Sequence, residues 1–402
     1  MEKVYIIAAK RTAVGKFLGA LSDITPGVLA ATVAKQLIKD TDINIKKIDE
    51  VIVGNVLSAG QKQCVGRQVA IHSGLPVEVS GYSINMVCGS GMKAVMNGFS
   101  SIKSGENNII LAGGTENMSQ APFLQSGQTR KGFKMGDLTL KDHILVDALT
   151  DAYTGIHMGN TAENIAEKYN ISREIQDEFA ISSQKKAIYA IDSGKFKDEI
   201  VPIEINVGKE TIIFDTDEHP NRKTNLEKLS TLKTAFKKDG TVTPGNSSGL
   251  NDGAAMLLLV SEKALKENNL IPLAEIVSCG QGGVDPNFMG LGPVVAMTKA
   301  LTKANLLLKD MDLIELNEAF AAQSIGVIKE LSQLHNLEIE NIMAKTNLNG
   351  GAISLGHAVG GSGARILVTL LHEMKKKEST YGIASLCIGG GMGTAIILKN
   401  CQ

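Results

Sequence analysis

Glu50-Val-Ile-Val-Gly-Asn55 and Asp312-Leu-Ile-Glu-Leu-Asn317 are two short apolar runs that both end in asparagine. A run of this kind is typical of a buried β-strand, and each is preceded by a strand and a helix in its own half of the chain. The early strand is Val4–Ala8, and Thr25-Pro26 marks the start of the helix that follows it. The matching runs are the first sign that the chain repeats itself.

The repeat continues beyond these strands. Val79–Met86, predicted to be another buried strand, leads into Asn85-Met-Val-Cys-Gly-Ser-Gly91 and a helix that stops at Gly105. In the second half, Asn349–His357 is likewise followed by a glycine-rich turn and a helix. Tyr381–Gly391 parallels the strand that ends at Gly113-Gly114. The sequence therefore predicts a duplicated α/β module in which equivalent turns meet, so that Cys88 and His357 share one site.

The region between the two halves differs in composition. From Gln120 to about Gly249 the chain is polar and charge-rich, which is too long for a loop and predicts an inserted subdomain. We expect an N-terminal half (1–120 plus 250–271), an insertion (121–249) and a C-terminal half (272–402).

Composition excludes several classes of protein. The net charge of −1 and pI of about 6.7 give no basic field for nucleic acid, and no apolar run is long enough to span a bilayer. The N-terminus has no signal-peptide pattern, which predicts a cytoplasmic protein. Five scattered cysteines without metal-ligand spacing predict neither a disulfide framework nor a metal site.

Cys88 is the first candidate for chemistry. A thiol at a helix N-terminus feels the positive end of the helix dipole, which favours the thiolate, and the glycines after it let backbone N–H groups approach a ligand. The pattern differs from the GxSxG nucleophile elbow. Taken alone, the motif also fits a buried cysteine in a glycine-rich turn.

Three more motifs occur at predicted strand ends: Asn317-Glu-Ala-Phe320, Gly356-His-Ala-Val-Gly-Gly-Ser-Gly363 and Cys387-Ile-Gly-Gly-Gly391. Together with Cys88-Gly-Ser-Gly91 they make the whole chain resemble the thiolase family. The resemblance implies the thiolase fold, an α/β fold with duplicated halves in layered αβαβα order and an inserted loop subdomain. It also implies chemistry on coenzyme A thioesters without a cofactor.

The resemblance assigns catalytic roles residue by residue. Cys88 would carry the acyl group, His357 would take its proton, and Cys387 would be the second acid/base. Asn317 would hold a water that binds the thioester oxygen, and the N–H groups of Cys88 and Gly389 would form an oxyanion hole. Considered singly, His357 also fits a core histidine, and Asn317 also fits the cap of a helix starting at Glu318.

Substrate contacts follow from the same resemblance. His157, Met158 and Ser248 would line the pantetheine channel, while Met289 and Phe320 would lie near a short acyl pocket. Arg222 and Lys228 are candidates for the nucleotide of coenzyme A, although charge runs are more often simply solvated.

Three positions depart from the family pattern. Ala358 replaces the usual proline after the histidine, which predicts a less rigid loop. Pro244 stands where alanine is frequent, and the adenine-stacking arginine falls at Arg222, with Asn221 in its usual place.

The expected reaction is condensation of two acetyl-CoA into acetoacetyl-CoA, or its reverse. The alternative is cleavage of longer 3-ketoacyl-CoA in fatty-acid breakdown. A condensing enzyme of fatty-acid synthesis lacks a second catalytic cysteine, so Cys387 argues against that alternative. A non-catalytic acyl-CoA-binding relative would not need both cysteines, His357 and Asn317. No GxGxxG motif supports dinucleotide binding. The resemblance further suggests a homo-oligomer, tetramer or dimer, with Lys131–Asp137 in the contact loop.

Overall fold

The computed structural model of the protein describes residues 2–208 and 210–402. The first part of the chain alternates strands and helices. In order these are β1 (Val4–Thr12), β2 (Gly15–Lys16), α1 (Pro26–Thr41), β3 (Glu50–Gly54), α2 (Val65–His72), β4 (Ser80–Ile84), α3 (Ser90–Ser104) and β5 (Ile109–Asn117).

The middle region has shorter elements. They are β6 (Phe123–Gln125), β7 (Leu140–Asp142), a π-helical segment (Ile144–Leu149), α4 (Met158–Lys168), α5 (Arg173–Asp192), β8 (Ile200–Val201), β9 (Ile203–Val207), β10 (Glu210–Phe214) and α6 (Leu226–Ser230). The buried Arg11 of β1 holds this region to the first half, since its guanidinium donates to Glu199 at 2.6 Å and to Asp217 at 2.6 and 2.9 Å.

The last part returns to longer strands and helices. They are β11 (Asn251–Ser261), α7 (Glu262–Glu267), β12 (Ala274–Gly283), α8 (Gly292–Ala304), β13 (Leu313–Leu316), α9 (Ala321–His335), α10 (Ile339–Met343), α11 (Ala352–Leu355), α12 (Val359–Lys377), β14 (Tyr381–Ile388) and β15 (Met392–Asn400).

The sheet order confirms the predicted duplication. The strands run β13-β14-β15-β12-β1-β11-β5-β3-β4, so each half places equivalent strands in the same sequence outward from the β1–β12 contact. The register repeats as well: Gly54 pairs with Gly114 in one half, and Leu316 pairs with Ser385 in the other. In the second half, the position of β4 beside its neighbouring strand is taken by an isolated bridge between Ile314 and Thr346.

Three hydrophobic clusters give the layers. The first packs α1 and α2 on the N-terminal strands, and the third packs α8 and α9 on the C-terminal strands. The second surrounds α3 and α12, which lie against each other between the two halves of the sheet. Alternate residues of β5 belong to the first and second clusters, as expected for a strand buried on both faces. The layered αβαβα fold predicted from the sequence is confirmed.

One strand differs from prediction. Val79–Met86 was expected to be buried, but the structure has a shorter strand, Ser80–Ile84, whose side chains are exposed or half-buried. The reason is topological, because β4 is the last strand of the sheet. No helix among the described residues is both long and apolar enough to cross a membrane.

Candidate active site

Cys88 lies in a strained turn between β4 and α3. Val87 has a φ of 45°, a conformation that is unusual for a β-branched residue. Side chains on both sides hold the turn: Asn85 Oδ1 accepts from Val87 N at 2.9 Å, and Ser90 Oγ donates to the Val87 carbonyl at 2.6 Å. Such a turn fixes the thiol at the start of α3.

The turn before α3 meets the turn before α12 through glycines. A Cβ atom on Gly91 would lie 2.8 Å from the Gly360 carbonyl oxygen, and one on Gly363 would lie 2.5 Å from Met92 N. Only residues without side chains let the two helices approach so closely. This contact brings the Cys88 turn and the loop that carries His357 to one place.

Cys387 belongs to the same place. A Cβ atom on Gly89 would overlap the side chain of Ile388, the residue after Cys387. The two thiols are close enough that Cys88 disfavours ionisation of Cys387, since Cys88 is among the causes that raise the pKa of Cys387. Cys387 itself is only 1% exposed.

The expectation that the helix terminus favours the thiolate of Cys88 is wrong for the resting site. Burial raises the pKa of Cys88 to about 11, although the backbone N–H groups of Gly389 and Cys88 itself act in the opposite direction. Burial also raises the pKa of Cys387. Loss of hydration outweighs the helix terminus, so both thiols are protonated at neutral pH and Cys88 needs a base.

His357 provides a base with a defined tautomer. Its Nδ1 lies 2.6 Å from Ser362 Oγ, and the Ser362 hydroxyl donates to the Ala358 carbonyl at 3.0 Å. Because the hydroxyl has one hydrogen, His357 Nδ1–H is the donor to Ser362, and Nε2 carries the lone pair. Nε2 is buried and has no hydrogen-bond partner among the described residues.

The imidazole is neutral in the resting site. Burial, followed by the positive charge of Arg365, lowers the pKa of His357 to about 4. The backbone of the same residue is fixed, since His357 N donates to Asn251 Oδ1 at 2.9 Å. A neutral histidine with a free Nε2 can accept a proton from a nearby thiol.

Asn317 follows β13 and is fully buried. Its backbone N–H donates to the Ser385 carbonyl at 3.0 Å, but neither side-chain amide atom has a partner among the described residues. The alternative interpretation as a helix cap is wrong, because the helix after it begins at Ala321 and not at Glu318. A buried amide without partners is a candidate for binding a ligand or a water.

The residues predicted around the acyl pocket gather beside Cys387. Met158, Met289 and Phe320 form one cluster with that thiol, and the Phe236 ring packs against the same cluster. The His157 ring stacks on Phe236 with centroids 4.6 Å apart.

The channel side of this cluster is held by backbone contacts. His157 Nδ1 accepts from Gly159 N at 3.0 Å, and Ser248 N donates to the Ala319 carbonyl at 2.9 Å. A Cβ atom on Gly389 would lie 3.5 Å from the Met158 sulfur. His157, Met158, Ser248 and Gly389 are therefore part of one region.

The two cations predicted to meet the nucleotide contact other residues of the inserted region. Arg222 is about half exposed, at 55%, and makes a bidentate ion pair with Asp192 at 2.9 and 2.5 Å. Lys228 is exposed, and its Nζ donates to the Lys223 carbonyl at 2.9 Å. Neither is brought together with the buried thiols.

Sequence reasoning missed three residues that shape the site: Glu116, Asn251 and Ser362. Ser362 lies inside the quoted histidine motif, and its spacing of one helical turn from Ala358 was a usable signal. Glu116 and Asn251 gave no signal, because their partners are distant in sequence. The described residues contain no group of three or more His, Cys, Asp or Glu side chains arranged to hold a metal ion.

Comparison with known proteins agrees with the fold and with the motifs. Models of the thiolase N-terminal and C-terminal domains match residues 4–263 and 270–400. The chain is 51% identical over 402 residues to an acetyl-CoA acetyltransferase of Syntrophomonas wolfei, with 99% of each chain covered.

Two solved structures are also similar. The Bacillus anthracis acetyl-CoA acetyltransferase superposes with a TM-score of 0.95 at 44% identity, covering 100% of this chain and 99% of that one. Human mitochondrial 3-ketoacyl-CoA thiolase in complex with CoA gives 0.93 at 44% identity, covering 99% and 98%.

Proposed function

The chain belongs to the thiolase family, and we propose that it is an acetyl-CoA C-acetyltransferase that joins two acetyl-CoA into acetoacetyl-CoA and catalyses the reverse thiolysis. The observation that carries the proposal is the juxtaposition of two protonated thiols, the half-buried Cys88 and the buried Cys387, in a site that also holds a neutral His357.

The first half of the proposed reaction is acyl transfer. His357 Nε2 takes the Cys88 proton, and the thiolate attacks the acetyl-CoA carbonyl. The C–S bond to coenzyme A then breaks, and the leaving thiolate takes the proton of Cys387. The site now holds acetyl-Cys88, a Cys387 thiolate and a protonated His357, and free coenzyme A departs.

The second half is carbon–carbon bond formation. The Cys387 thiolate removes a proton from the methyl carbon of a second acetyl-CoA, and the resulting carbanion attacks the acetyl group on Cys88. The Cys88 sulfur leaves and takes its proton back from His357. Both thiols and the neutral imidazole are regenerated, in agreement with the raised pKa values of Cys88 and Cys387 and the lowered pKa of His357.

Negative charge on oxygen develops in both halves. We assign the acyl-enzyme oxyanion to the N–H groups of Cys88 and Gly389, since both already point at the Cys88 sulfur. Asn317, through a water, and His357 would stabilise the enolate of the second substrate. Each such donor contributes roughly 3–4 kcal/mol to lowering a barrier.

The inserted region (121–249) is proposed as the coenzyme A subdomain between the halves 1–120 plus 250–271 and 272–402. His157, Met158 and Ser248 would line the pantetheine channel, and Met289 and Phe320 would limit the acyl group. Clustering of Met158, Met289 and Phe320 beside Cys387 supports a small acyl space. Arg222 and Lys228 remain candidates for binding the nucleotide. For Arg222 this requires that it leave its ion pair with Asp192.

Steady-state kinetics test the proposal. Acetoacetyl-CoA should be cleaved with a kcat/KM at least ~10-fold above that for 3-ketoacyl-CoAs with six or more acyl carbons, because each methylene that does not fit costs about 1 kcal/mol or more. A preference for the longer substrates would instead support the β-oxidation alternative, the activity named for the human relative.

We further propose a homotetramer. The segment around Lys131–Asp137 exposes large apolar side chains, including Phe123 at 66%, Phe133 at 52% and Met135 at 94%. Exposed apolar groups at this density indicate a protein interface. Light scattering should give four chains for the wild type and fewer for Met135→Asp. The cytoplasmic location and the absence of a cofactor stay predictions.

A further inference from the structure

Glu116, at the end of β5, is a buried carboxylate that accepts four hydrogen bonds. Oε1 accepts from Asn55 Nδ2 at 2.8 Å and from Leu57 N at 3.1 Å. Oε2 accepts from Val56 N and from Gly360 N, both at 3.0 Å. The first three donors belong to the N-terminal half, whereas Gly360 belongs to α12, so one side chain joins the two halves.

The charge of Glu116 follows from its partners. Burial raises its pKa to about 7, while the N–H groups of Val56, Leu57 and Gly360 act in the opposite direction. All four partners are donors, so a protonated carboxyl would set its own hydrogen against an N–H group. The four donors therefore favour the ionised form.

Both ends of the Glu116 contact touch the candidate active site. Val56 and Leu57 belong to the cluster against which Cys88 packs, together with Val359. Gly360 lies three residues after His357. The Glu116 carboxylate therefore connects the segment that packs against Cys88 to the loop that carries His357.

The His357 loop depends on such ties. Asn251 holds the loop at His357 N, and Glu116 holds it at Gly360 N. Between these anchors stands Ala358, without the conformational restriction that a proline would provide.

We propose that Glu116 is a positioning residue that fixes the His357 loop against the Cys88 turn, and that its carboxylate sets the alignment of base and nucleophile. The inference deepens the proposed function and rests on it only for the turnover measurements. A displacement of about 1 Å between reacting groups can lower a rate by about 100-fold.

Glu116→Gln is the main test, because the amide has nearly the same size. One of its two terminal atoms is a donor and would face the N–H groups that now point at a carboxylate oxygen. We expect kcat for acetoacetyl-CoA thiolysis to fall by ~10–100-fold, while KM stays within about 2-fold, since only the alignment of reacting groups changes. Glu116→Asp, which keeps the charge, should recover part of kcat.

Glu163→Gln is the matched control. Glu163 is also buried, and it accepts from Thr241 N and Val242 N at 2.8 Å, within the inserted region. It loses a comparable set of hydrogen bonds away from the His357 loop. We expect both variants to lose thermal stability, but only Glu116→Gln to lose kcat. This result would distinguish a positioning role from a general loss of stability.

Alkylation of Cys88 by iodoacetamide at pH 7, followed by peptide mass spectrometry, supplies a readout without acyl-CoA. Glu116→Gln and His357→Ala should slow labelling by similar factors, about 10-fold. Equal labelling rates in Glu116→Gln and wild type, or an unchanged kcat in the folded variant, would overturn the inference. Slower labelling in Glu116→Gln combined with a wild type that acetyl-CoA does not acetylate would overturn the proposed function and leave the positioning role standing.

Discussion

Each half of the molecule places a pair of polar residues at the same position of its sheet, but the two pairs differ in their hydrogen bonding. Asn55 follows β3 and Asn317 follows β13. In the neighbouring strand, Glu116 pairs opposite Gly253, and Cys387 pairs opposite Gly393. By sheet register, the pair Asn55 and Glu116 is therefore the counterpart of the pair Asn317 and Cys387.

We call the N-terminal pair closed, because its two members hydrogen-bond to each other, and the C-terminal pair open, because the described residues show no such bond there. Asn55 Nδ2 donates to Glu116 at 2.8 Å, so that pair bonds to itself and to the backbone around it. The amide of Asn317 has no partner among the described residues, and Cys387 shares its surroundings with Cys88. The same position of the duplicated module thus holds a hydrogen-bonded structural pair in the first half and part of the proposed reactive site in the second half.

Cys88→Ala is the largest change that we predict. It removes the proposed nucleophile while leaving both asparagine pairs intact, so thiolysis should fall by at least ~10⁴-fold. Incubation with acetyl-CoA followed by peptide mass spectrometry should find the acetyl group on Cys88 in the wild type and nowhere in the variant. An adduct on another cysteine of the variant would contradict the assignment.

Cys387→Ala breaks the open pair alone. Acetylation of Cys88 in a single turnover should be affected less than condensation, which should slow by at least ~100-fold, because the proton acceptor for the methyl carbon is lost. Rapid quench with labelled acetyl-CoA measures both steps. Equal losses in the two steps would show that Cys387 has no separate role.

Ser362→Ala tests the tautomer of His357. Loss of a hydrogen bond of about 1 kcal/mol to His357 Nδ1 lets the other tautomer form, which should lower kcat by ~3–10-fold. Ser362→Thr retains the hydroxyl and should recover most of the activity. An unchanged kcat in Ser362→Ala would mean that another group sets the tautomer.

The pH dependence of thiol labelling is a smaller effect. Without substrate, the iodoacetamide reactivity of Cys88 should keep rising from pH 7 to about pH 11, because the ionised fraction increases up to a pKa of about 11. A plateau below pH 8 would show that a partner stabilises the thiolate in the resting site.

The sequence predicted most of the architecture for a physical reason. Mainly apolar runs such as Val51–Val53 and Ile314–Leu316 are typical of buried strands, and they indicate the order of elements in both halves. Cys88 was found because it precedes a glycine-rich helix start, whereas His357 and Cys387 were identified through the resemblance of their motifs to the thiolase family. Their environment was not predictable, since burial of the thiols depends on packing between distant segments and reversed the expected pKa shift.

The role of Glu116 had the same limit. In the sequence it is one of many glutamates after a strand, and only the register with Cys387 and the contact with Gly360 distinguish it. The exposure of β4 likewise follows from its position at the edge of the sheet, and a local sequence pattern does not reveal that position.

Ala358→Pro is the smallest change that we predict. Ala358 has a φ of −71°, close to the value that proline imposes, and its N–H donates to no acceptor among the described residues. The substitution restricts the unfolded chain without breaking a native hydrogen bond, so it should stabilise the protein by about 0.4–1 kcal/mol and raise Tm by about 1 °C. Because Asn251 and Glu116 already hold the loop on either side, kcat should not change. A stability gain in wild type accompanied by partial recovery of kcat in Glu116→Gln would show that backbone restriction and the carboxylate act on the same loop. A loss of both stability and kcat in the single variant would mean that the loop between the two anchors has to move during turnover.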